Sequence, residues 1–199
     1  NYDNLYADTQ YWINNGWLDY VIPQLYWEIG HPAANYTTLF HWWKDNKAPD
    51  VQMYIGQDVG RSENQIAKKI NPTREAKQIG GNCFWSGDML LSNKNGYKDS
   101  LQTAYFQYHA IAPNFPKLSH VAPARPENVQ LELMGDTPKL TWNAGKSTSN
   151  IEKPWYYIVY ACDYRARLLD LYDPSRIVYV GTDTEYIIPE SDNPLFYKY

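Results

Sequence analysis

The sequence predicts an α/β part built on a parallel sheet, followed by an all-β sandwich. Three apolar runs alternate with helix-like stretches and each closes on a carboxylate, which is the pattern of successive βα units. A cluster of prolines then interrupts the chain, and beyond it come short alternating runs separated by turn residues.

The chain opens on a helix-like segment, residues 6–15, with Gly16 as its stop. The first strand is expected over residues 18–28, the run Leu18-Asp19-Tyr20-Val21-Ile22-Pro23-Gln24-Leu25-Tyr26-Trp27-Glu28, apolar in its middle and polar and aromatic at its end. Strands of parallel sheets are covered on both faces and read as nearly continuous apolar runs, and ligands sit where such strands end. Gln24, Tyr26, Trp27 and Glu28 are therefore expected to line a pocket.

A helix follows, with Tyr36, Leu39, Phe40 and Trp43 on one face and Asn35 as its cap. The second strand is expected over residues 50–58, ending in Gln57 and Asp58, and the third over residues 81–88, carrying Cys83, Trp85 and Asp88. Between them two helical stretches are read, residues 62–69 and 72–79, the second opened by Asn71-Pro72 and closed by Gly80-Gly81. After the third strand, Tyr97, Leu101, Ala104, Tyr105, Tyr108 and Ile111 recur at helical spacing and predict an amphipathic helix packed on one side. Three parallel strands do not close a barrel, which takes about eight, and they leave two open edges. The expectation is a piece of a larger barrel whose open edge is covered by a missing N-terminal half or by a second copy.

Pro113, Pro116, Pro123 and Pro126 mark a stiff linker. Strand-like runs follow at Val129-Gln130-Leu131-Glu132-Leu133, Lys139-Leu140-Thr141-Trp142, residues 156–161, Ile177-Val178-Tyr179-Val180 and Tyr186-Ile187-Ile188, and the chain ends inside another, residues 195–199.

No apolar run approaches the roughly twenty residues of a membrane span, and the mean hydropathy is −0.62. The net charge of −4, with basic residues scattered among acids, argues against nucleic acid as a partner. Cys83 and Cys162 fall in different predicted parts, so both are read as buried thiols rather than a disulfide. His31, His41, His109 and His120 lack zinc-like spacing, and no metal is expected.

Aromatic residues make up 16% of the chain, enough to furnish both cores and a sugar-stacking cleft, so position has to separate the two uses. Tyr26, Trp27 and Trp85, at strand ends, are cleft candidates. Tyr36, Trp43, Tyr105 and Tyr108 on helix faces are read as core, and Trp142 and Tyr157 as sandwich core.

The stretch from Trp17 to Trp27, followed by Gly30-His31-Pro32, Tyr54-Ile55-Gly56-Gln57-Asp58 and Cys83-Phe84-Trp85-Ser86, resembles the C-terminal part of glycoside-hydrolase-like family ten. Those proteins are similar to (β/α)8-barrel glycosidases, and many continue into a fibronectin type III-like domain, which Pro126-Glu127-Asn128-Val129, Leu140-Thr141-Trp142 and Tyr157-Ile158-Val159-Tyr160 resemble. The resemblance implies the last three βα units of a TIM barrel over residues 1–112, a Pro-rich linker over 113–125, and a fibronectin type III-like sandwich lacking its last strand over 126–199. It further implies an extracytoplasmic glycoside hydrolase acting on polysaccharide or bacterial cell-wall glycan, without a cofactor.

Glycoside hydrolysis ordinarily uses two carboxyl groups flanking the scissile bond. The resemblance puts the family's aspartate pair on an earlier barrel strand, and no Asp-Asp pair occurs in these residues, so the chain alone is expected to be inactive. Glu28 and Asp58 are the catalytic candidates here, each as proton donor, nucleophile or hydroxyl-binding carboxylate. Their competing role is helix capping or loop hydrogen bonding. Gln24 and Gln57 can each offer a donor and an acceptor to a sugar hydroxyl. Tyr26, Trp27, His31 and Trp85 complete the expected substrate-binding set, while Asp88 also reads as a cap for a short helix. The alternative from another class is a noncatalytic glycan-binding or adhesion module.

Overall fold

The computed structural model describes residues 2–61, 65–113, 115, 121–135, 137–147, 153–163, 165, 167, 171, 173–189 and 197–198. The chain divides into two compact units, one of residues 1–105 with 113–118 and one of residues 106–112 with 119–199.

In the first unit, two short helices, α1 (Tyr2–Leu5) and α2 (Thr9–Asn14), precede the sheet. The Asp8 side chain caps α2 through the Tyr11 N–H, and the chain leaves it through Gly16 at φ +66°, the left-handed conformation that glycine adopts without strain. Strand β1 is only Tyr20–Val21, pairing in parallel with β2 (Gln52–Asp58). The eleven-residue strand expected here is cut short at Pro23, which has no N–H to give the ladder. Register nevertheless persists across the break: Tyr20 faces Gln52, Val21 faces Met53, and an isolated bridge pairs Gln24 with Gly56. The Pro23 carbonyl accepts the Gly56 N–H at 2.9 Å, and Leu25 donates to the Gly56 carbonyl at 3.1 Å.

Helix α3 (Tyr36–Asp45) lies between those strands in sequence and is capped by Asn35, whose side chain accepts from the Thr37 N–H. Its apolar face meets the sheet. Leu25, Tyr36, Phe40, Met53, Ile55 and Ile79 form the core, with Leu39 and Trp43 packed against it. Helix α4 (Ile66–Glu75) leads to β3 (Gly81–Trp85), which pairs in parallel with β2 from Tyr54↔Gly81 to Asp58↔Trp85. The strand order is β1-β2-β3, with no closed barrel among the described residues.

Four local expectations differ from what is observed. Local rules make Pro72 the start of a second helix, but α4 runs through it. Burial of Lys69, Ile70 and Thr73 on one side of α4 holds the turn, and the Tyr36 hydroxyl donates to the Lys69 carbonyl next to the bond that proline cannot make. Residues 62–64 of the first stretch lie outside the described residues. The third strand stops at Trp85, and Asp88 opens a short helix, α5 (Gly87–Leu91). The last helix, α6 (Tyr97–Ala104), ends well before Ile111: an Arg74 guanidinium takes the Tyr105 carbonyl, and Tyr108 and Ile111 are exposed. Cys83 is exposed rather than buried, since its position in β3 turns it away from the helices.

In the second unit the strands are β4 (Glu127–Met134), β5 (Thr137–Asn143), β6 (Tyr157–Tyr160), β7 (Cys162–Asp163), β8 (Ile177–Gly181), β9 (Glu185–Ile187) and β10 (Tyr197–Lys198), all but β7 falling within or overlapping the alternating runs. Residues 195, 196 and 199 of the last run lie outside the described residues, as do Pro116 and His120 of the linker region. The strands form an antiparallel sheet in the order β4-β5-β9 and two antiparallel pairs, β6 with β8 and β7 with β10. Leu140, Trp142 and Val159 form their core, and the Trp142 ring meets Tyr157 edge-on at 5.4 Å. A mainly apolar cavity of about 690 Å³, lined by Leu140, Trp142, Tyr157, Val159 and Cys162 among others, lies within this unit.

Gly56 is the tightest point of the parallel sheet. A Cβ there would stand 2.9 Å from the Pro23 carbonyl oxygen and 3.2 Å from the Gln24 Cα. Both are backbone atoms and cannot rotate aside, so Gly56→Ala is expected to destabilise the first unit by roughly 1–3 kcal/mol. Urea denaturation monitored by Trp fluorescence measures this, and an unchanged midpoint would refute it.

Candidate active site

Parallel alternation gives β2 two faces with different duties. Met53 and Ile55 enter the core beside α3, and Gln57 continues that face. Tyr54, Gly56 and Asp58 take the other: the Tyr54 ring meets Tyr20 at 6.2 Å, and Gly56 approaches Tyr26. Through the register Gly56↔Cys83 and Asp58↔Trp85, Cys83 and Trp85 share this second, open face.

Tyr26, Asp58, Cys83 and Trp85 therefore converge. Because Gly56 lacks a side chain, the Tyr26 ring lies 3.4 Å from where a Cβ would stand. Partial burial, followed by the fields of Cys83 and Asp58, pushes the Tyr26 hydroxyl above the usual tyrosine range. Asp58 accepts the Arg61 N–H at 3.1 Å and pairs with its guanidinium at 3.5 Å, and its side chain is only 13% exposed. Trp85 is 61% exposed and Trp27 39% exposed, so both offer a flat apolar face to solvent.

Glu28 lies on the loop between β1 and α3, exposed, and its carbonyl accepts the N–H groups of His31 and Tyr36. Gln65 clamps the next residue, accepting the Ile29 N–H at 2.7 Å and donating to the Ile29 carbonyl at 3.4 Å. His31 Nδ1 accepts from the N–H groups of Ala33 and Ala34 at 3.3 and 3.0 Å, which organises this loop. Gln24 is exposed beside the Gly56 bridge. Asp88 stands in the first turn of α5, where the Ser86 hydroxyl, ahead of nearby backbone N–H groups, holds its carboxyl below the usual range.

Gln57 does not join the open face. It is fully buried, and its amide donates to the Tyr36 hydroxyl at 3.0 Å and to the Asn82 side chain at 2.9 Å. Asn82 in turn donates to Thr73 Oγ1, and Thr73 to the Ile70 carbonyl. This chain of hydrogen bonds ties β2, β3, α3 and α4 together immediately beneath the strand ends.

Lys69, absent from the sequence-based candidates, completes the region. It is fully buried on α4, with its ammonium 5.0 Å from the centre of the Tyr36 ring. Burial lowers its pKa, and the fields of Asp58 and Glu28 pull in the opposite direction. The signal for it was present: Ile66, Lys69, Ile70 and Thr73 fall at i, i+3, i+4 and i+7, which sets Lys69 on the apolar stripe.

Residues 1–73 match the model of the protein family described as Glycosyl hydrolase-like 10. The match supports that family, which implies a glycosidase-like TIM barrel, and it supports a glycoside hydrolase-related function. Among relatives, "Glycosyl hydrolase YngK" of Bacillus subtilis (strain 168) is 32% identical over 174 residues, which cover 82% of this chain and 34% of that protein. "Glycosyl hydrolase DigH" of Escherichia coli (strain K12) is 46% identical over 56 residues, 28% of this chain and 13% of that protein. The aligned part thus spans 34% and 13% of the lengths of these relatives. Among the described residues, no helix is long and apolar enough to cross a membrane.

Tyr36 permits a test of the buried network. Its hydroxyl, pushed up to about 12 chiefly by burial against an ordinary value of 10.0, stays neutral in the folded protein after it would ionise in the unfolded chain. Its contribution is therefore complete below pH 10 and lost as pH rises through 12, a change on the order of 3 kcal/mol. Tyr36→Phe is expected to lower stability at neutral pH but to flatten the fall between pH 10 and 12. Parallel pH-dependent denaturation curves for the two proteins would refute the assignment.

Proposed function

We propose that the first unit contributes one wall of a glycan-hydrolysing site, in which Glu28 and Asp58 act as carboxylates at the scissile bond. The substrate class is polysaccharide or bacterial cell-wall glycan, and the setting is extracytoplasmic. The observation that carries the reading is the convergence of Tyr26, Asp58 and Trp85 on one open face at the strand ends, with Glu28 on the adjoining loop. In barrel enzymes this end of the strands is where chemistry is done.

Roles follow from environment. Glu28, exposed on its loop, is free to approach a glycosidic oxygen and serve as the acid/base group. Asp58, held by Arg61, is fixed in direction and suits stabilisation of positive charge at the reacting sugar carbon. Trp85 and Trp27 provide stacking surfaces, and Gln24, Tyr26 and His31 stand where sugar hydroxyls could be read. Gln57 serves the site through Tyr36 and Asn82, without touching the sugar. The family's other catalytic acids would come from residues outside this chain. The second unit is a fibronectin type III-like module in this reading, supported by its β4-β5-β9 sheet and by the pairing of β6 and β7 with β8 and β10.

One observation favours a second reading. The Arg61 contacts to both Asp58 oxygens are those of a loop-capping aspartate, which a noncatalytic glycan-binding module would also keep.

Turnover of defined glycans by the full-length protein separates the two. Glu28→Gln is expected to lower kcat by about 10²–10⁴-fold, the usual loss for an acid/base group, with folding unchanged, and Asp58→Asn to lower it as well. Unaltered turnover in both variants, or glycan binding with no turnover in the parent protein, would reject the hydrolase reading.

A further inference from the structure

We propose that His31 is a substrate-binding residue of the rim: its imidazole carries its proton on Nε2, and that N–H donates to an oxygen of the bound glycan. The inference rests on the reading of the strand-end face as a glycan site, and it gives His31 a binding role there, as a fixed donor, in place of proton transfer.

A turn sets the residue beside Glu28. The Glu28 carbonyl accepts the His31 N–H at 3.2 Å. Residues 28–31 are therefore a β-turn with Glu28 at its first position and His31 at its fourth, which holds their Cα atoms under about 7 Å apart. Gly30, at the third position, has φ +88°, the left-handed backbone that a type II turn requires there. Both central N–H groups are taken: Ile29 donates to Gln65 Oε1 at 2.7 Å, and Gly30 donates to Asn35 Oδ1 at 3.2 Å. The turn is thus pinned to the residue before α4 and to the cap of α3, on the loop that follows the bridge of Gln24 with Gly56.

Two further bonds fix the tautomer. His31 Nδ1 accepts the N–H groups of Ala33 and Ala34 at 3.3 and 3.0 Å. A ring nitrogen that accepts holds no proton, and a neutral imidazole has one donor and one acceptor, so the proton lies on Nε2. The backbone thereby makes Nε2–H a donor on the far edge of a half-buried ring. Among the described residues Nε2 has no hydrogen-bond partner. A donor held in one direction and left unspent by the protein fits an acceptor oxygen, which every sugar ring bears. A general base would need a lone pair facing the glycan, and the ring's lone pair is already spent on the loop.

Two substitutions divide the ring between them. Asn places Oδ1 where Nδ1 lies and keeps an acceptor for the backbone N–H groups two and three residues on, but it has no atom at the Nε2 position. Gln brings an amide N–H to the Nε2 position and leaves the loop without its acceptor. In the full-length protein carrying Glu28→Gln to stop turnover, calorimetric titration with a soluble cell-wall glycan oligosaccharide is expected to give a Kd about tenfold weaker in His31→Asn, the loss of one hydrogen bond, with the urea midpoint unchanged. His31→Gln is expected to lower the midpoint and to lose less affinity. In the parent protein at about pH 8, above the ordinary histidine value of about 6.5, ¹⁵N NMR of labelled histidine is expected to show the Nε2–H tautomer, and the oligosaccharide to shift Nε2 more than Nδ1. An Nδ1–H tautomer, an Nε2 signal that the oligosaccharide leaves in place, an unchanged Kd in His31→Asn, or a greater loss of affinity in His31→Gln than in His31→Asn would overturn the proposal. The NMR experiment answers even if His31→Asn fails to fold. Because binding is read without turnover, failure of the hydrolase reading alone does not alter these outcomes, whereas a parent protein that binds no oligosaccharide would overturn both.

Discussion

Beneath the carboxylates, a run of buried polar side chains joins four elements: Thr73 on α4, Asn82 on β3, Gln57 on β2 and Tyr36 on α3, ending on the Lys69 carbonyl. Polar groups in a low-dielectric interior are costly unless partnered, so each of these bonds admits few alternative arrangements. The apolar core of Met53, Ile55 and Phe40 would tolerate small slips of helix against strand. Hydrogen bonds at 2.8–3.0 Å between named atoms would not. This network fixes the height of β2 against β3 and the rotation of α3 against α4, and with them the positions of Asp58 and of the loop bearing Glu28.

The same constraint gives β2 a buried and an open face. One residue of parity separates Gln57, locked inward, from Asp58, presented outward. Gly56 lies between them and lets Tyr26 press against the strand from the open side, where Cys83 and Trp85 arrive from β3. A parallel sheet places all its strand ends on one rim, and the 20↔52, 21↔53 and 24↔56 register shows that even a strand broken by proline delivers its end there.

Much of this was legible in the sequence. The Asn35 cap agreed with the helical spacing of Tyr36, Leu39, Phe40 and Trp43, and α3 formed where both signals pointed. In the second unit the strands other than β7 followed their alternation, since period two admits one reading when turn residues bound each run. What escaped depended on partners distant in sequence. Pro72 reads as a helix start by local rules, and the helix that runs through it buries Lys69, Ile70 and Thr73 against partners distant in sequence. At the end of α6 the Tyr105 carbonyl accepts from Arg74, 31 residues away in sequence. Which of Gln57 and Asp58 faces inward is a matter of strand parity that an apolar run does not reveal. Cys83 and Lys69 were missed for opposite reasons: one is a thiol turned outward, the other a charge turned inward.

The account turns on Glu28 and Asp58 serving one sugar-binding rim. The most direct measurement is a crystal structure of the full-length protein with a defined cell-wall oligosaccharide bound in an inactive variant. The account predicts a sugar ring against Trp85 or Trp27, with the side chains at positions 28 and 58 both within about 3 Å of its oxygens, the hydrogen-bonding distance. An oligosaccharide bound elsewhere, with either side chain turned away from it, would contradict the account.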